Sequence, residues 1–546
     1  MLLSPKQGWF AAFTVVFAVL AAFVFWGTWS TDFAPVMPDC TTVHPTFYAN
    51  AVEAVLRKFV AEGKFIPSDV FWDGLVVSPY FCQELKYALA LYCSGLALAW
   101  FLSGRGLSPL ASCGAGLLLA FCGYWSTLFS AGHGGWFVWM TYGVFAFGLI
   151  DRAIDRGRLR HWALLGAMVA WGSFYQPDLW LLFTVLTGAY FLFRLIRARK
   201  FPWKGIVLAG VVCAAVGAPS FYGAFTGSLA GRDAQIAAGE TVSGADKVDD
   251  AEKRWIFATN WSLPPVETVE FLVPRVNGDT SCPLTLTLAN RSGRRTRPYT
   301  GALGRPKDAR EGNYRQHSLY VGFVTCLFAL VGLVALAKGT KDRPVLCFFA
   351  AVAFVCWLFS LGRYCEPVYR LVYALPFGDY LRAPVKWHHL TEFALCVIAG
   401  YGIDWLSSRL RFAYAPLALA AVVLVGVIDL ARVDRLYCAP TDLAEARRQN
   451  CSQQMTFLRR GDFANPQVKA MVQAKKIVAL GQPNPETYLV GILGEKPFAK
   501  AFSRPLPPFT FVTALGFVSL AASLFAILFG LSMTGTCRRK SPEKGF

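Results

Sequence analysis

The chain has 546 residues, of which 55% are hydrophobic and only 16% charged. A soluble domain is nearer a quarter charged, so this composition excludes an ordinary water-soluble globule. The formal net charge of +19 would direct a soluble protein toward nucleic acid. Here the Lys and Arg fall in loops between apolar runs and no nucleic-acid-binding motif is present, so contact with membrane lipid or phosphate accounts for the charge instead.

In chain order, apolar runs fall near 8–29, 86–103, 107–125, 135–150, 161–174, 179–196 and 205–222. They resume near 318–337, 344–362, 388–407, 413–430 and 509–532. A helix of about 20 residues crosses a bilayer. The runs are continuous rather than alternating over segments of about 10 residues, which excludes a transmembrane barrel. The expected fold is an all-α polytopic membrane protein of about a dozen spans. The first run follows Lys6 with no small-residue cleavage site after it and reads as an uncleaved signal anchor. The run at 161–174 is short, abuts Tyr175-Gln176-Pro177-Asp178, and is compatible with a re-entrant segment.

With the N-terminus inside, the short inner loops carry Arg105, then Arg152, Arg156, Arg158 and Arg160, then Arg197, Arg199, Lys200 and Lys204. Further on they carry Lys338, Lys341 and Arg343, then Arg409 and Arg411, and the tail carries Arg538, Arg539 and Lys540. This satisfies the positive-inside rule and predicts a multi-pass protein of the plasma membrane with both termini cytoplasmic. Four large segments are then outside: 30–85, 223–317, 363–387 and 431–508. The expected organisation is a transmembrane module over 1–430, a small extracytoplasmic helix-and-strand segment over 431–508, and a last span with its tail over 509–546.

In the first outer segment, Asp32 and Asp39 precede apolar residues at helical spacing, among them Val52, Val55, Leu56 and Phe59. This predicts an amphipathic helix over 46–62 lying on the outer membrane surface, ended by Gly63. A carboxylate held just above the bilayer can accept a proton from a hydroxyl. The alternative is that both Asp are solvated loop residues. His133, in Gly132-His133-Gly134-Gly135, and Gln176 sit at the outer ends of runs, where turn chemistry explains them equally well. Arg315 and His317 lead into the eighth run, and Arg315 suits a phosphate or a lipid headgroup. The third outer segment holds Arg363, Arg370, Arg382 and Lys386. Arginine stays charged and binds phosphate bidentately, so this is the strongest phosphate candidate, with headgroup contact as the alternative. His388-His389 lacks further ligands at useful spacing, and no metal site is read. Fifteen Cys form no CxxC pattern. Most lie in apolar runs as packing residues, and Cys40 with Cys82 and Cys438 with Cys451 are local options for pairing.

Several short segments, taken together, resemble the YfhO-type family of bacterial multispanning membrane proteins. They are Asp39 before the amphipathic stretch, Glu62-Gly63-Lys64 with Trp72 and Gly74, Gly132-His133, and Gln176. Then come Ser262-Leu263-Pro264-Pro265 with Pro274 and Gly278, Leu319-Tyr320-Val321-Gly322, and Tyr380-Leu381-Arg382-Ala383-Pro384 continued by Ala399-Gly400-Tyr401-Gly402-Ile403-Asp404. The resemblance covers roughly residues 30–406. It implies a GT-C-like fold, the architecture of glycosyltransferases that use lipid-linked sugars. Asp39 then corresponds to the catalytic Asp of the first outer loop, and Arg382 falls in the family's Arg-x-Pro pattern. His133 and Gln176 match outer-face polar positions. Two departures are Phe174-Tyr175-Gln176-Pro177 in place of a His-Pro-Gln run, and a short final outer segment.

The resulting expectation is an inverting glycosyltransferase moving a sugar from a polyprenyl-phosphate carrier to a cell-surface glycan or lipid acceptor. Membrane lipids are its surroundings, and nucleic acid is no partner. No cofactor is indicated, and a divalent cation bridging Asp39 and phosphate is compatible with the mechanism. The alternatives are a secondary transporter, for which about twelve spans are suited but mid-span charges are few and Glu392 is the main one, and a non-catalytic assembly factor for surface polysaccharide.

Overall fold

A computed structural model of the chain describes residues 5–26, 33–36, 56, 59–64, 79–128, 134–174, 177–198, 201–228, 250–278, 288–289, 295–296, 318–340, 342–375, 378–438, 441–442, 456–459 and 506–531. Each of the twelve apolar runs contains a helix. They are α1 (Pro5–Val24), α2 (Pro79–Gly104), α3 (Pro109–Ala120) with the short α4 (Gly123–Ser126), α5 (Gly134–Arg156), α6 (Leu159–Gly172), α7 (Pro177–Ala198) and α8 (Trp203–Gly223). After α9 (Asp250–Thr259) follow α10 (Phe323–Lys338), α11 (Arg343–Ser360), the short α12 (Glu366–Tyr373), α13 (His388–Arg409), α14 (Ala415–Cys438) and α15 (Phe511–Leu531).

Among the described residues, eight helices are long and apolar enough to cross a membrane: α1, α2, α7, α8, α11, α13, α14 and α15. In α3 there are 12 residues and in α10 there are 16. At 1.5 Å per residue these reach about 18 and 24 Å, short of a hydrocarbon core of about 30 Å. The run at 107–125 differs from a single straight span. It begins with Pro109 behind the Ser108 cap, whose Oγ accepts from the Ala111 N–H, and it stops at Ala120. The chain then turns so that the Gly123 N–H donates to Tyr320 O at 2.8 Å. The last span before 431 also differs, because α14 runs on to Cys438 rather than ending near 430.

The core is built around α13, whose residues from His388 to Ile403 are buried almost without exception. It packs against α10, α11 and α3. Apolar side chains gain little from leaving lipid for protein, so close backbone approach has to hold the helices together. Gly95 of α2 and Gly116 of α3 show this: a Cβ on either would come within 2.6 Å of the other's carbonyl oxygen.

At the end of the bundle bearing the loops after α2, α5 and α10, a network of mostly buried or half-buried charges joins five helices. Arg105 donates from Nε and Nη2 to the two Asp342 oxygens at 2.7 and 2.5 Å, and from Nη1 to Asp151 at 3.3 Å. Arg194 lies 3.0 Å from Asp151 and donates to Asp155 at 2.6 Å. Tyr190 and Tyr401 donate to Asp151 and Asp342 at 2.8 and 2.6 Å. The Ser108 N–H donates to Asp404 at 2.7 Å. Burial pulls the Arg105 guanidinium down, but hydrogen bonding to Asp342 and the charge of Asp151 outweigh it and leave Arg105 above the ordinary arginine range.

At the opposite end, a three-stranded sheet has the order β1-β5-β4. It is formed by β1 (Phe33–Val36), β4 (Thr441–Asp442) and β5 (Thr456–Arg459), and a separate pair joins β2 (Leu288–Ala289) to β3 (Arg295–Thr296). The pairing of β1 with β5 is antiparallel, Phe33 facing Arg459, and that of β4 with β5 is parallel. The segment at 431–508 is therefore tied by β5 to the chain that follows the first helix. Of the expected amphipathic helix, residue 56 and residues 59–62 are described, and they are helical. Val60 is buried, its carbonyl accepts from Thr513 Oγ1 at 2.6 Å, and Phe59 meets Phe517 edge-on, so this turn leans on α15. Cys438 is a buried free thiol and Cys365 is also free; Cys40 and Cys451 lie outside the described residues.

Stranding a fully buried charge costs about 3–5 kcal/mol; the Arg105–Asp342 pair is part-buried and Arg105 keeps Asp151 when Asp342 is lost, so the cost here falls short of that but exceeds that of an exposed pair. Asp342→Asn is therefore expected to lower the apparent melting temperature of the detergent-solubilised protein more than Glu366→Gln, which breaks an exposed pair. Equal melting temperatures for both variants would show that the Arg105 network carries no such load.

Candidate functional site

The described part of 363–387 does not stand alone. It folds against residues 250–278, and the two together form a shelf at the end of the bundle opposite the Arg105 network. A tight approach brings them together. Gly362 sits at φ +50°, and a Cβ there would lie 2.1 Å from Ser262 Oγ and 2.7 Å from Pro384 Cγ. Ser262 Oγ accepts from the Arg363 N–H at 3.0 Å, the Leu263 N–H donates to Ser360 O at 2.8 Å, and the Val385 N–H donates to Trp261 O at 3.2 Å. Trp261 and Ala383 are both left-handed, at φ 55° and 62°. For an L-residue that conformation costs roughly 1–2 kcal/mol, and such strain persists only where the surroundings impose it. At Ala383 the following Pro384 already disfavours the right-handed helical region.

On this frame sit three of the expected cations. Arg382 lies over the indole of Trp261, with its guanidinium carbon 4.2 Å from the ring centre, and 5.4 Å from that of Phe257. Arg363 donates from Nε to Thr259 O at 3.1 Å, and burial holds its guanidinium below the ordinary arginine range. Lys386 is buried in the single-turn helix Pro384–Trp387. Arg370 is set apart on α12, where it donates to Glu366 at 2.6 and 3.0 Å and lies 4.4 Å over Trp255. Arg254 of α9 donates to Asp379 at 3.1 Å and binds the two segments further. A guanidinium stacked on an indole face is held in a fixed plane, so the charge of Arg382 is positioned while its flank stays apolar.

Beneath the shelf, at the start of α13, is a second polar group. His388, His389 and Glu392 of α13 and Asp434 of α14 have no exposed surface. Glu392 Oε1 accepts from the Tyr124 N–H at 3.0 Å and lies 3.5 Å from His388 Nε2. Phe271 stacks on His388 and Tyr124 on His389, each with ring centres 4.2 Å apart.

Of the residues expected to form the site, the structure brings Arg363, Arg382 and Lys386 together around residues 257–262 and places Arg370 beside them in its own ion pair. Asp32, Asp39, His133, Gln176, Arg315 and His317 lie outside the described residues. Sequence reasoning missed Trp255, Phe257 and Trp261 as the surface beneath the cations; the motif at Ser262-Leu263-Pro264-Pro265 was the available signal. It also missed Asp434, because the charges of Asp434 and Arg435 end the apolar run early. Among the described residues, no three His, Cys, Asp or Glu side chains converge in a way that would hold a metal ion.

Fold and site together define a polytopic helical membrane protein with a cationic, aromatic-backed shelf at one end. No family model matches the chain, and no curated protein matches it.

Gly362→Ala is expected to lower stability by at least about 1–2 kcal/mol from the left-handed backbone alone, with the Ser262 clash adding to it. Comparing its melting curve with that of Gly188→Ala, where a Cβ meets open space, isolates the effect. Identical curves would contradict the close docking of the two segments.

Proposed function

We propose that the chain is an inverting glycosyltransferase of GT-C type, with twelve helices crossing the membrane, both termini cytoplasmic, and the shelf on the outer face. The observation that carries this reading is the grouping of Arg363, Arg382 and Lys386 at a bundle end, with Arg382 over Trp261, Arg363 on the Thr259 carbonyl and Lys386 in the adjoining turn. A polyprenyl-phosphate sugar has the complementary chemistry: an anionic phosphate between an apolar tail and a polar sugar. The tail stays in lipid, the phosphate meets Arg382 and Lys386, and the sugar faces outward. Asp39 accepts the proton of the acceptor hydroxyl, whose oxygen bonds to the anomeric carbon as the bond from that carbon to the phosphate oxygen breaks. The departing phosphate takes the electron pair, and the cations stabilise the charge developing on it. Support for the shared end comes from Arg435 of α14, which donates to the carbonyls of Phe23 and Trp26 at the end of α1. The end of α1 therefore lies at the same end of the bundle as Asp434. A secondary transporter is favoured by one observation, the fully buried Glu392 and Asp434, since ionisable groups within a membrane bundle often mark ion pathways.

Two measurements test the proposal. Membranes carrying the wild type are expected to transfer labelled sugar from polyprenyl-phosphate donors. Asp39→Asn should reduce turnover roughly 10²–10⁴-fold, the usual share of a general base. Arg382→Ala should reduce it about 10²–10³-fold through lost charge stabilisation. Wild-type transfer rates in both variants, or no transfer by the wild type with any donor, would move the balance to the transporter or the assembly factor.

For orientation, Glu366→Cys is expected to react with a membrane-impermeant maleimide on intact cells. Arg158→Cys, also exposed, should react only after permeabilisation. The reverse pattern, read against wild-type labelling, would invert the topology.

A further inference from the structure

We propose that Glu392, Asp434 and His388 form a buried binding site for an exchangeable proton, seated in the bundle beneath the cationic shelf. The inference does not depend on the sugar-transfer reading.

The site joins α13, α14 and the turn at 122–128. Glu392 Oε2 has no hydrogen-bond partner, neither oxygen of Asp434 has one of ordinary geometry, and neither nitrogen of His388 has one. All three side chains are fully buried. The groups facing Glu392 are His388, Asp434 and the thiols of Cys122 and Cys326, with the Cys396 thiol against Cys122. Asp434 faces the Ser126 hydroxyl, Glu392 and the Cys438 thiol. His388 is enclosed by the rings of Phe271 and Tyr124.

Among the described residues, the surrounding helices bring no permanent cation to either carboxyl. There is no charged residue in α3, and the charged residues of α10 and α11, Lys338 and Arg343, are at the far end. The contact of α2 with α13 at Leu102 and Gly400 is also toward that end. Arg435, next to Asp434, is turned to the α1 carbonyls. Lys386 precedes His388 by two residues, in the turn Pro384–Trp387. Among the described residues, the one ion-pair partner of Glu392 is His388, and Asp434 has none.

The charge balance follows from this enclosure. Two ionised carboxylates side by side, without water, would repel each other and lose their hydration. One imidazolium neutralises one of them. The other is neutral only while it keeps its proton. The set is therefore uncharged when it holds two protons, one on His388 or passed to Glu392, and one on the second carboxyl. Release breaks that carboxyl's O–H bond, the oxygen keeps the electron pair, and water takes the proton. One net negative charge remains between α13, α14 and the 122–128 turn. Since the shelf rests on the start of α13, proton occupancy and the packing of the shelf are linked.

Infrared spectroscopy of the full chain in lipid nanodiscs tests this. Near neutral pH the wild type is expected to show a carboxylic-acid C=O stretch that shifts in D₂O and is removed by Asp434→Asn or Glu392→Gln. Monodisperse gel filtration establishes that each variant is folded, and if Asp434→Asn is not, Glu392→Gln carries the test. Absence of the band, insensitivity to D₂O, or persistence of the full band in the folded amide variants would overturn the proposal.

Discussion

The pairing of Arg105 with Asp342 and Asp151 is the constraint on which the rest of the bundle rests. Lipid removes most of the hydrophobic drive that would press apolar helices together, so directional contacts decide which faces meet. Arg105, Asp151, Arg194, Asp342 and their tyrosine partners take charges from separate stretches of chain and leave each with a partner. The ends of α2, α5, α7, α11 and α13 are thereby tied in one place. With that end held, α13 is fixed against α3, α10 and α11, and its other end, beginning at His388, becomes the floor of the site.

At the site end the same economy of charge is handled differently. The cations above the floor rest on aromatic faces and carbonyls, with Arg382 on Trp261 and Arg363 on Thr259 O, while the acids below are enclosed by rings and thiols. The left-handed Trp261 and Ala383 show how firmly the two segments are docked, since neither conformation persists without surroundings that enforce it. A phosphate-sized anion would find positive charge here already positioned, with little side-chain ordering left to supply.

The helices were legible in the sequence because an apolar run in lipid has one economical way to satisfy its backbone, through local hydrogen bonds. The departures arise where contacts distant in sequence take over. The third run breaks near Cys122 because Gly123 bonds to Tyr320, a contact that hydropathy does not encode. The helix from Ala415 outlasts its apolar run because Asp434 turns inward and Arg435 finds the carbonyls of α1. Arg363, Arg382 and Lys386 were legible as cations in one loop. The surface they rest on was not, because Trp255, Phe257 and Trp261 lie more than a hundred residues earlier, in a segment whose register against the loop is set by Gly362 and Ser262. His388 and Glu392 could be paired by their helical spacing, but Asp434 could join them only once two helices were in place.

The strand pairing of β1 with β5 has a consequence for biogenesis. Phe33 and Arg459 are partners across more than four hundred residues. A ribosome exposes β1 early and supplies β5 only after nearly the whole bundle has been made. Throughout that interval the N–H and C=O groups of β1 have no β5 to bond, the condition in which strand edges find wrong partners. The turn at 59–62 waits longer still, since Thr513 and Phe517 come from the last helix. Assembly of this end of the bundle is thus a late step of synthesis, and a ribosome halted before residue 456 leaves a membrane-inserted chain whose first strand is still open.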